Sequence, residues 1–164
     1  MNPHPSSQSL HIAHFSFGNE GCLVQLGCTN SALVNAEEFS ERLWDFAADV
    51  ARTVETIPNT RVGRHVAGQL IRCGSSSAPN YDEACDGESR RDFAHKLGIA
   101  AKEMRETSGW LRFLVKLSLV PSQQIAPLID ESVELRKMLG SSLKTLRSRS
   151  DFAGADPDPM PDEQ

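Results

Sequence analysis

The chain has 164 residues and a formal net charge of −5, with 39% hydrophobic and 6% aromatic residues. This length is enough for one domain with a buried core that needs neither disulfides nor metals. No apolar run approaches the roughly 20 residues of a membrane span, and the first twenty residues lack a secretory pattern, so we expect a cytoplasmic protein.

The acidity of the chain is concentrated in its C-terminal tail. Residues 151–164 carry five acidic residues and no basic one, and residues 1–36 carry one acidic residue, Glu20. Residues 37–150 therefore hold all 17 basic residues against 16 acidic ones, a net charge of +1. Within this body, an acid-free basic stretch is a candidate nucleic-acid-binding site: Arg136, Lys137, Lys144, Arg147 and Arg149. The alternative is a solvated helix end whose cations complement the helix dipole.

The four cysteines, Cys22, Cys28, Cys73 and Cys85, do not have the close pairing of a metal site or the density of a disulfide scaffold. We expect reduced thiols that are packed or merely exposed.

The two ends of the chain lack helical periodicity. Residues 1–34 are rich in Pro, Ser, Gly and Asn, and their one short apolar piece, residues 22–26, fits a strand or no regular structure. We predict a disordered or loosely packed segment there. Residues 150–164 are acidic and proline-rich and are predicted to be a disordered tail.

The first helix is predicted to begin after Asn35, because Asn is a good N-cap and Glu38 completes a capping box. Val34 and Phe39 occupy the two staple positions around this cap. An amphipathic stripe follows at steps of three and four residues: Phe39, Leu43, Phe46, Val50, Val54 and Ile57. Pro58 ends the helix, since the residue before proline is pushed out of the α region.

The second helix is predicted to start near Asn59, with Val62, Val66, Leu70 and Cys73 on one side. Pro79 removes one backbone hydrogen bond, but the hydroxyls of residues 75–77 can bond freed carbonyls nearby. A kinked helix that reaches Cys85 is therefore favoured over a clean stop. The small residues at 74–78 also allow another helix to approach closely.

The third helix is predicted over residues 88–120, which contain no proline and span about 48 Å at 1.5 Å per residue. Its main stripe contains Phe93, Leu97, Ala100, Met104, Leu111 and Leu114 or Val115. A second stripe lies in the latter half: Trp110, Phe113, Leu117 and Val120. Two stripes on one half-helix imply burial on two sides, so the second stripe is predicted to be an oligomer interface.

The fourth helix is predicted to begin around Pro121, a residue favoured in first turns, although Pro127 either marks the true start or distorts the first turns. Its apolar residues are Ile125, Leu128, Ile129, Val133, Leu135, Leu139, Leu143 and Leu146. Short connections place successive helices antiparallel. The predicted fold is therefore an all-α, up-down antiparallel four-helix bundle over residues 35–149, with a kinked second helix and a long third one.

The middle of the chain resembles a known family. The relevant runs are S-S-S-A-P-N-Y-D-E-A at 75–84, E-S-R-R-D-F-A-H-K-L at 88–97 and K-E-M-R-E-T at 102–107. They are similar to bacterial four-helix bundle proteins encoded in intervening sequences of 23S ribosomal RNA genes, to which the accessory variability protein of diversity-generating retroelements is related. The resemblance covers residues 37–148 and implies an up-down bundle that assembles as a ring-like homopentamer. The retroelement relative implies binding of nucleic acid and of a reverse transcriptase.

No catalytic pattern is present in the sequence. Asp92 and His95, with Glu88 one turn earlier, share a helix face, but a carboxylate-bridged di-metal bundle needs Glu-x-x-His on two helices. Glu103 and Glu106 alternate with cations, which is typical of a solvated face or of a salt-bridged contact between helices. We therefore predict no enzyme activity, no metal site and no cofactor.

Two functions remain open from the sequence. One is a cytoplasmic, homo-oligomeric scaffold or adaptor, a pentamer in keeping with the resemblance, with no membrane contact. The other is an RNA- or DNA-binding accessory protein that acts through the basic stretch of its last helix, repeated around an oligomeric ring.

Overall fold

The computed structural model of the protein describes residues 35–153, which form four α-helices and no strand. These are α1 (Ala36–Glu55), α2 (Arg61–Cys85), α3 (Arg90–Lys116) and α4 (Ser122–Ala153). The all-α prediction is confirmed for this part of the chain. The segments predicted to be disordered lie mostly outside the described residues; α4, however, continues to Ala153, past the boundary predicted at 149.

The start of α1 is the predicted capping box. The side chain of Asn35 accepts a hydrogen bond from the backbone N–H of Glu37 at 3.3 Å, and Glu38 Oε2 accepts one from the backbone N–H of Asn35 at 3.4 Å. These bonds satisfy donors that the first turn of a helix leaves without an intrahelical partner. The staple residue Val34 lies outside the described residues.

The second helix continues through Pro79 to Cys85, as predicted. The hydroxyls of Ser75 and Ser76 donate to the carbonyls of Ile71 and Arg72, at 2.7 and 2.6 Å. Asn80 Nδ2 donates to the Ser76 carbonyl at 2.8 Å. None of these three bonds involves the carbonyl of Ser75, which is the one that Pro79 deprives of its backbone donor.

The third helix is shorter than predicted at both ends. Ser89 is its N-cap, and its hydroxyl accepts the backbone N–H of Asp92. At the other end Ser118 adopts a φ of 51°, and its N–H and that of Leu119 bond the carbonyls of Val115 and Leu114. This is a Schellman termination, in which a left-handed residue stops the helix before the apolar pattern ends.

The four helices contact one another in cyclic order: α1 packs on α2 and α4, and α3 packs on α2 and α4. The diagonal pairs make no such contacts among the described residues. The helix pairs α1–α2, α2–α3 and α3–α4 run antiparallel, because the residue numbers of contacting partners increase along one helix as they decrease along the other. The paired residues are Phe39 with Tyr81 and Val50 with Gly74; Glu83 with Lys96 and His65 with Trp110; Arg90 with Leu146 and Ser108 with Ser132.

The core forms from the predicted stripes, with Tyr81 and Phe39 among its largest members and their rings edge to face at 4.9 Å. Between α3 and α4 the buried hydroxyls of Ser108 and Ser132 bond each other at 2.8 Å. Between α1 and α4, Arg42 makes a two-pronged ion pair with Glu131, at 2.6 and 2.9 Å. The apolar core is therefore accompanied by specific polar contacts, one between α3 and α4 and one between α1 and α4.

The centre of α2 confirms the close approach predicted from its small residues. Gly74 is buried, and a Cβ built on it would lie 2.5 Å from Val50 Cγ1 of α1. Because Val50 is fully buried and β-branched, its methyl group cannot move away cheaply.

We expect Gly74→Ala to lower the free energy of unfolding by about 1–3 kcal/mol, because the added methyl overpacks the α1–α2 contact. Gly68→Ala is the matched control: it lies on the exposed side of the same helix and its Cβ would meet nothing within 4 Å. The control should stabilise by about 0.5–1 kcal/mol, since alanine favours helix. Urea denaturation followed by circular dichroism measures both, and equal effects would contradict the close contact.

Candidate functional site

The four predicted interface residues do not share one environment. Phe113 and Leu117 are 40% and 37% exposed, and Trp110 is partly buried against the core. Val120, predicted to lie at the interface, is only 3% exposed and belongs to the core of the subunit, so it offers almost no surface to a second copy. The physical reason is the turn at Ser118, which takes Val120 out of the helical register on which the stripe was drawn.

A groove of about 830 Å³ lies between α2 and α3 beside Trp110. It is lined by Arg61, Val62, His65 and Val66 of α2, and by Glu106, Gly109, Trp110 and Phe113 of α3. Val62 was expected to face the core, but it is 49% exposed and forms part of this groove instead. The lining is mainly apolar, with charged groups at its margin.

Three aromatic rings of the groove, those of His65, Trp110 and Phe113, contact one another. The Trp110 indole meets the His65 ring edge to face at 5.8 Å and the Phe113 ring at 5.7 Å. Edge-to-face contacts of this kind favour a fixed mutual orientation of the rings. Phe113 is held in place on one side by Trp110 while it remains exposed on the other.

An ion-pair network of Arg72, Glu103 and Glu106 lies at the margin of the groove. Arg72 Nη2 lies 2.5 Å from Glu106 Oε1, and Arg72 Nη1 lies 3.6 Å from Glu103 Oε2. Trp110 Nε1 also donates to Glu106 Oε1 at 3.3 Å. The hydrogen bond to Glu106 raises the pKa of Arg72 and, together with the neighbouring charges, keeps the guanidinium charged. Glu103 and Glu106 thus form a salt-bridged contact between helices, one of the two alternatives that the sequence left open, with Arg72 as the partner.

The thiol beneath this network is not an activated nucleophile. Cys73 is fully buried, and its Sγ donates to the Leu70 carbonyl at 3.6 Å. Burial raises the pKa of the Cys73 thiol above its ordinary value, since a thiolate is costly to hold away from water. The sulfur therefore stays protonated at neutral pH and behaves as a small apolar side chain.

The other candidate residues from the sequence are dispersed. Asp92 accepts the Ser89 hydroxyl at 2.6 Å at the start of α3, while His95 is exposed. No group of three or more metal-binding side chains occurs among residues whose side chains are described. In α4, Lys137 is paired with Glu134 at 2.7 Å, Arg136 is half-buried and Lys144 is exposed. Arg147 and Arg149 lie in α4, and their side chains are outside the described part.

A second feature of α3, which its apolar pattern did not reveal, is a row of exposed cations. We call Arg91, Lys102, Arg105, Arg112 and Lys116 the α3 cation row. At 100° per residue these positions fall within an arc of about 80° on the side opposite the core, over a length of about 37 Å. The signal was present in the sequence as the spacing of like charges along one helix.

Comparison with known proteins identifies relatives of the bundle. A family model described as 23S rRNA-intervening sequence protein matches residues 38–141. A similar solved structure is the 1.70 Å crystal structure of a protein of unknown function from the S23 ribosomal protein family of Bacteroides thetaiotaomicron. It is 29% identical, with a TM-score of 0.62, and the match covers 66% of this chain and 97% of that one. No curated protein matches this chain significantly.

None of the helices in the described part of the chain is long and apolar enough to cross a membrane.

The raised pKa of Cys73 has a testable consequence for stability. Because the folded state holds the thiol proton more tightly, folding should lose stability as the pH rises above the ordinary pKa of an exposed thiol, about 8.5. Between pH 8 and pH 10, the free energy of unfolding should decrease more in the natural chain than in the Cys73→Ala variant. Alkylation of Cys73 at pH 8 should also be at least about 100-fold slower in the native state than in urea. Equal rates in both states would contradict a buried thiol.

Proposed function

This chain belongs to the family of 23S rRNA-intervening sequence proteins, and from that membership and the α2–α3 groove we propose that it is a cytoplasmic, non-enzymatic scaffold that assembles with copies of itself. The proposed assembly is a ring of five subunits, as the family resemblance implies. The observation that carries the proposal is an apolar surface, formed by Val62, Phe113 and Leu117, beside a groove large enough to take side chains of a second copy.

The distribution of exposed apolar side chains supports this surface as the contact. Five large apolar residues in the described part are exposed: Trp44, Val62, Ile71, Phe113 and Leu117. Val62 and Phe113 line the groove, and Leu117 follows Phe113 by one helical turn. Full burial of a side chain of this size contributes about 1.5–3 kcal/mol. A closed ring of five contains five such contacts, so the free energy of burial at one contact is gained five times.

A ring imposes one further condition on the contact. In a closed ring of five, each groove must meet a different surface of the next subunit, because two identical patches facing each other would close a dimer. The Arg72–Glu106 pair suits such a contact, because it places fixed charges at the margin of an apolar centre.

The double variant Phe113→Ser/Leu117→Ser should give smaller species that keep a helical circular dichroism spectrum. Both side chains are already exposed in the single subunit, so the core loses little. Ile71→Ser is the control, because Ile71 is 37% exposed, as is Leu117, but belongs neither to the groove nor to the helical turn that follows Phe113. Light scattering at micromolar concentration measures the mass. A natural chain that is monomeric, or a double variant that assembles unchanged, would refute the proposal.

The α3 cation row favours a second candidate, the binding of single-stranded RNA or DNA. Its five residues are exposed, and none has an acidic partner among residues whose side chains are described. A line of cations about 37 Å long can follow a phosphate backbone and release its counterions. The proposed site on α4 is weaker, because Lys137 is already paired with Glu134.

The salt dependence of binding tests this candidate and distinguishes the two basic surfaces. If the five cations each neutralise one phosphate, the logarithm of the binding constant for a 20-nucleotide single strand should fall with a slope of about −3.5 against log salt. Lys102→Gln/Arg105→Gln should reduce this slope to about −2, and Lys137→Gln/Lys144→Gln should leave it unchanged. Fluorescence anisotropy is the measurement. No binding at low salt, or the opposite ranking of the two variants, would eliminate α3 as the site.

A further inference from the structure

No residue of the α3 cation row makes an ion pair with a described acidic side chain, whereas several cations on other faces of the bundle do. Elsewhere Lys96 is paired with Glu83, Arg72 with Glu106 and Lys137 with Glu134. Within the row, Lys102 lies three residues from Arg105 and Arg112 lies four from Lys116, so like charges are neighbours on the same face. An anionic segment laid along α3 would remove this repulsion.

The chain supplies such a segment in its own tail. Residues 154–164 contain Asp156, Asp158, Asp162 and Glu163 and no Lys or Arg. Pro157, Pro159 and Pro161 restrict φ at alternate positions, so the tail loses less conformational freedom on docking than a flexible chain of equal length. Its charge is opposite to that of the row and nearly equal in number.

The C-terminal part of α4, after which this tail begins, lies near one end of the row. Arg90 Nη2 donates to the Leu146 carbonyl at 3.0 Å, so the C-terminal end of α4 lies next to the first turn of α3, where the row begins at Arg91. The helix continues seven residues past Leu146 to Ala153, about 10 Å. Eleven extended residues span about 36–40 Å. After returning over those 10 Å, the tail reaches Lys102 and Arg105 but not Lys116.

We propose that the acidic segment 156–163 docks within its own subunit on the N-terminal part of the α3 cation row, where Arg91, Lys102 and Arg105 lie, and competes there with other polyanions. This inference goes beyond assembly through the groove, which lies on a different part of α3. It also explains a chain whose body is basic on one helix face while the whole protein carries a charge of −5.

Zero-length carbodiimide coupling of the full chain tests the docking directly. The reagent joins a lysine amine to a carboxylate only where the two groups are in contact. We expect cross-links from Lys102 to carboxylates of residues 156–163, and none to Lys116, which is equally exposed but beyond reach. Mixing ¹⁵N-labelled with unlabelled protein distinguishes links within one chain from links between chains. Absence of the Lys102 link, a preference for Lys116, or links only between chains would overturn the proposal.

A charge-neutral variant of the full chain tests the competition. Asp156→Asn, Asp158→Asn, Asp162→Asn and Glu163→Gln together keep the length and prolines of the tail but remove its charge. A tethered segment at about millimolar effective concentration, with a Kd of about 0.1 mM, weakens a competitor about tenfold. The neutral variant should therefore bind dT20 about tenfold more tightly at low salt. Equal binding by both chains would show a nucleic-acid surface that the tail does not cover, and would overturn the competition.

Discussion

Close approach between α2 and its neighbours is the constraint on which the bundle depends. Gly74 brings α2 against Val50 of α1, and three residues later the Ser77 hydroxyl reaches the Ala100 carbonyl of α3 at 3.2 Å. Larger side chains at these positions would separate the helices and open the core, which in proteins is packed as densely as an organic crystal.

The consequence of this packing is that α3 has three distinct sides. One side is buried in the bundle through Phe93, Leu97 and Met104. A second side, beside α2, combines the Arg72–Glu106 pair with the apolar groove at Phe113. The third side faces away from the core and carries the cation row. A helix of 27 residues without proline presents all three along a continuous surface, so assembly and anion binding need not compete for the same atoms.

This division supports the proposal of a scaffold. The carboxylates that would be candidates for acid–base chemistry, Glu103 and Glu106, lie beside the Arg72 guanidinium. The fully buried thiol, Cys73, has its pKa raised and is held as an apolar core group. Other polar side chains link neighbouring helices, as Arg42 with Glu131 and Ser108 with Ser132 do.

The sequence by itself determined the four helices, their order and most of the core, because caps, prolines and apolar period are local properties of the chain. The capping box at Asn35 and the passage of α2 through Pro79 are examples. Only the tertiary structure decided which polar and apolar groups are left exposed. It placed Val120 inside through the turn at Ser118, turned Val62 into the groove and paired Arg72 with Glu106 across two helices. Helical periodicity assigns a residue to a face, whereas its partners depend on how neighbouring helices are rotated and where each one ends.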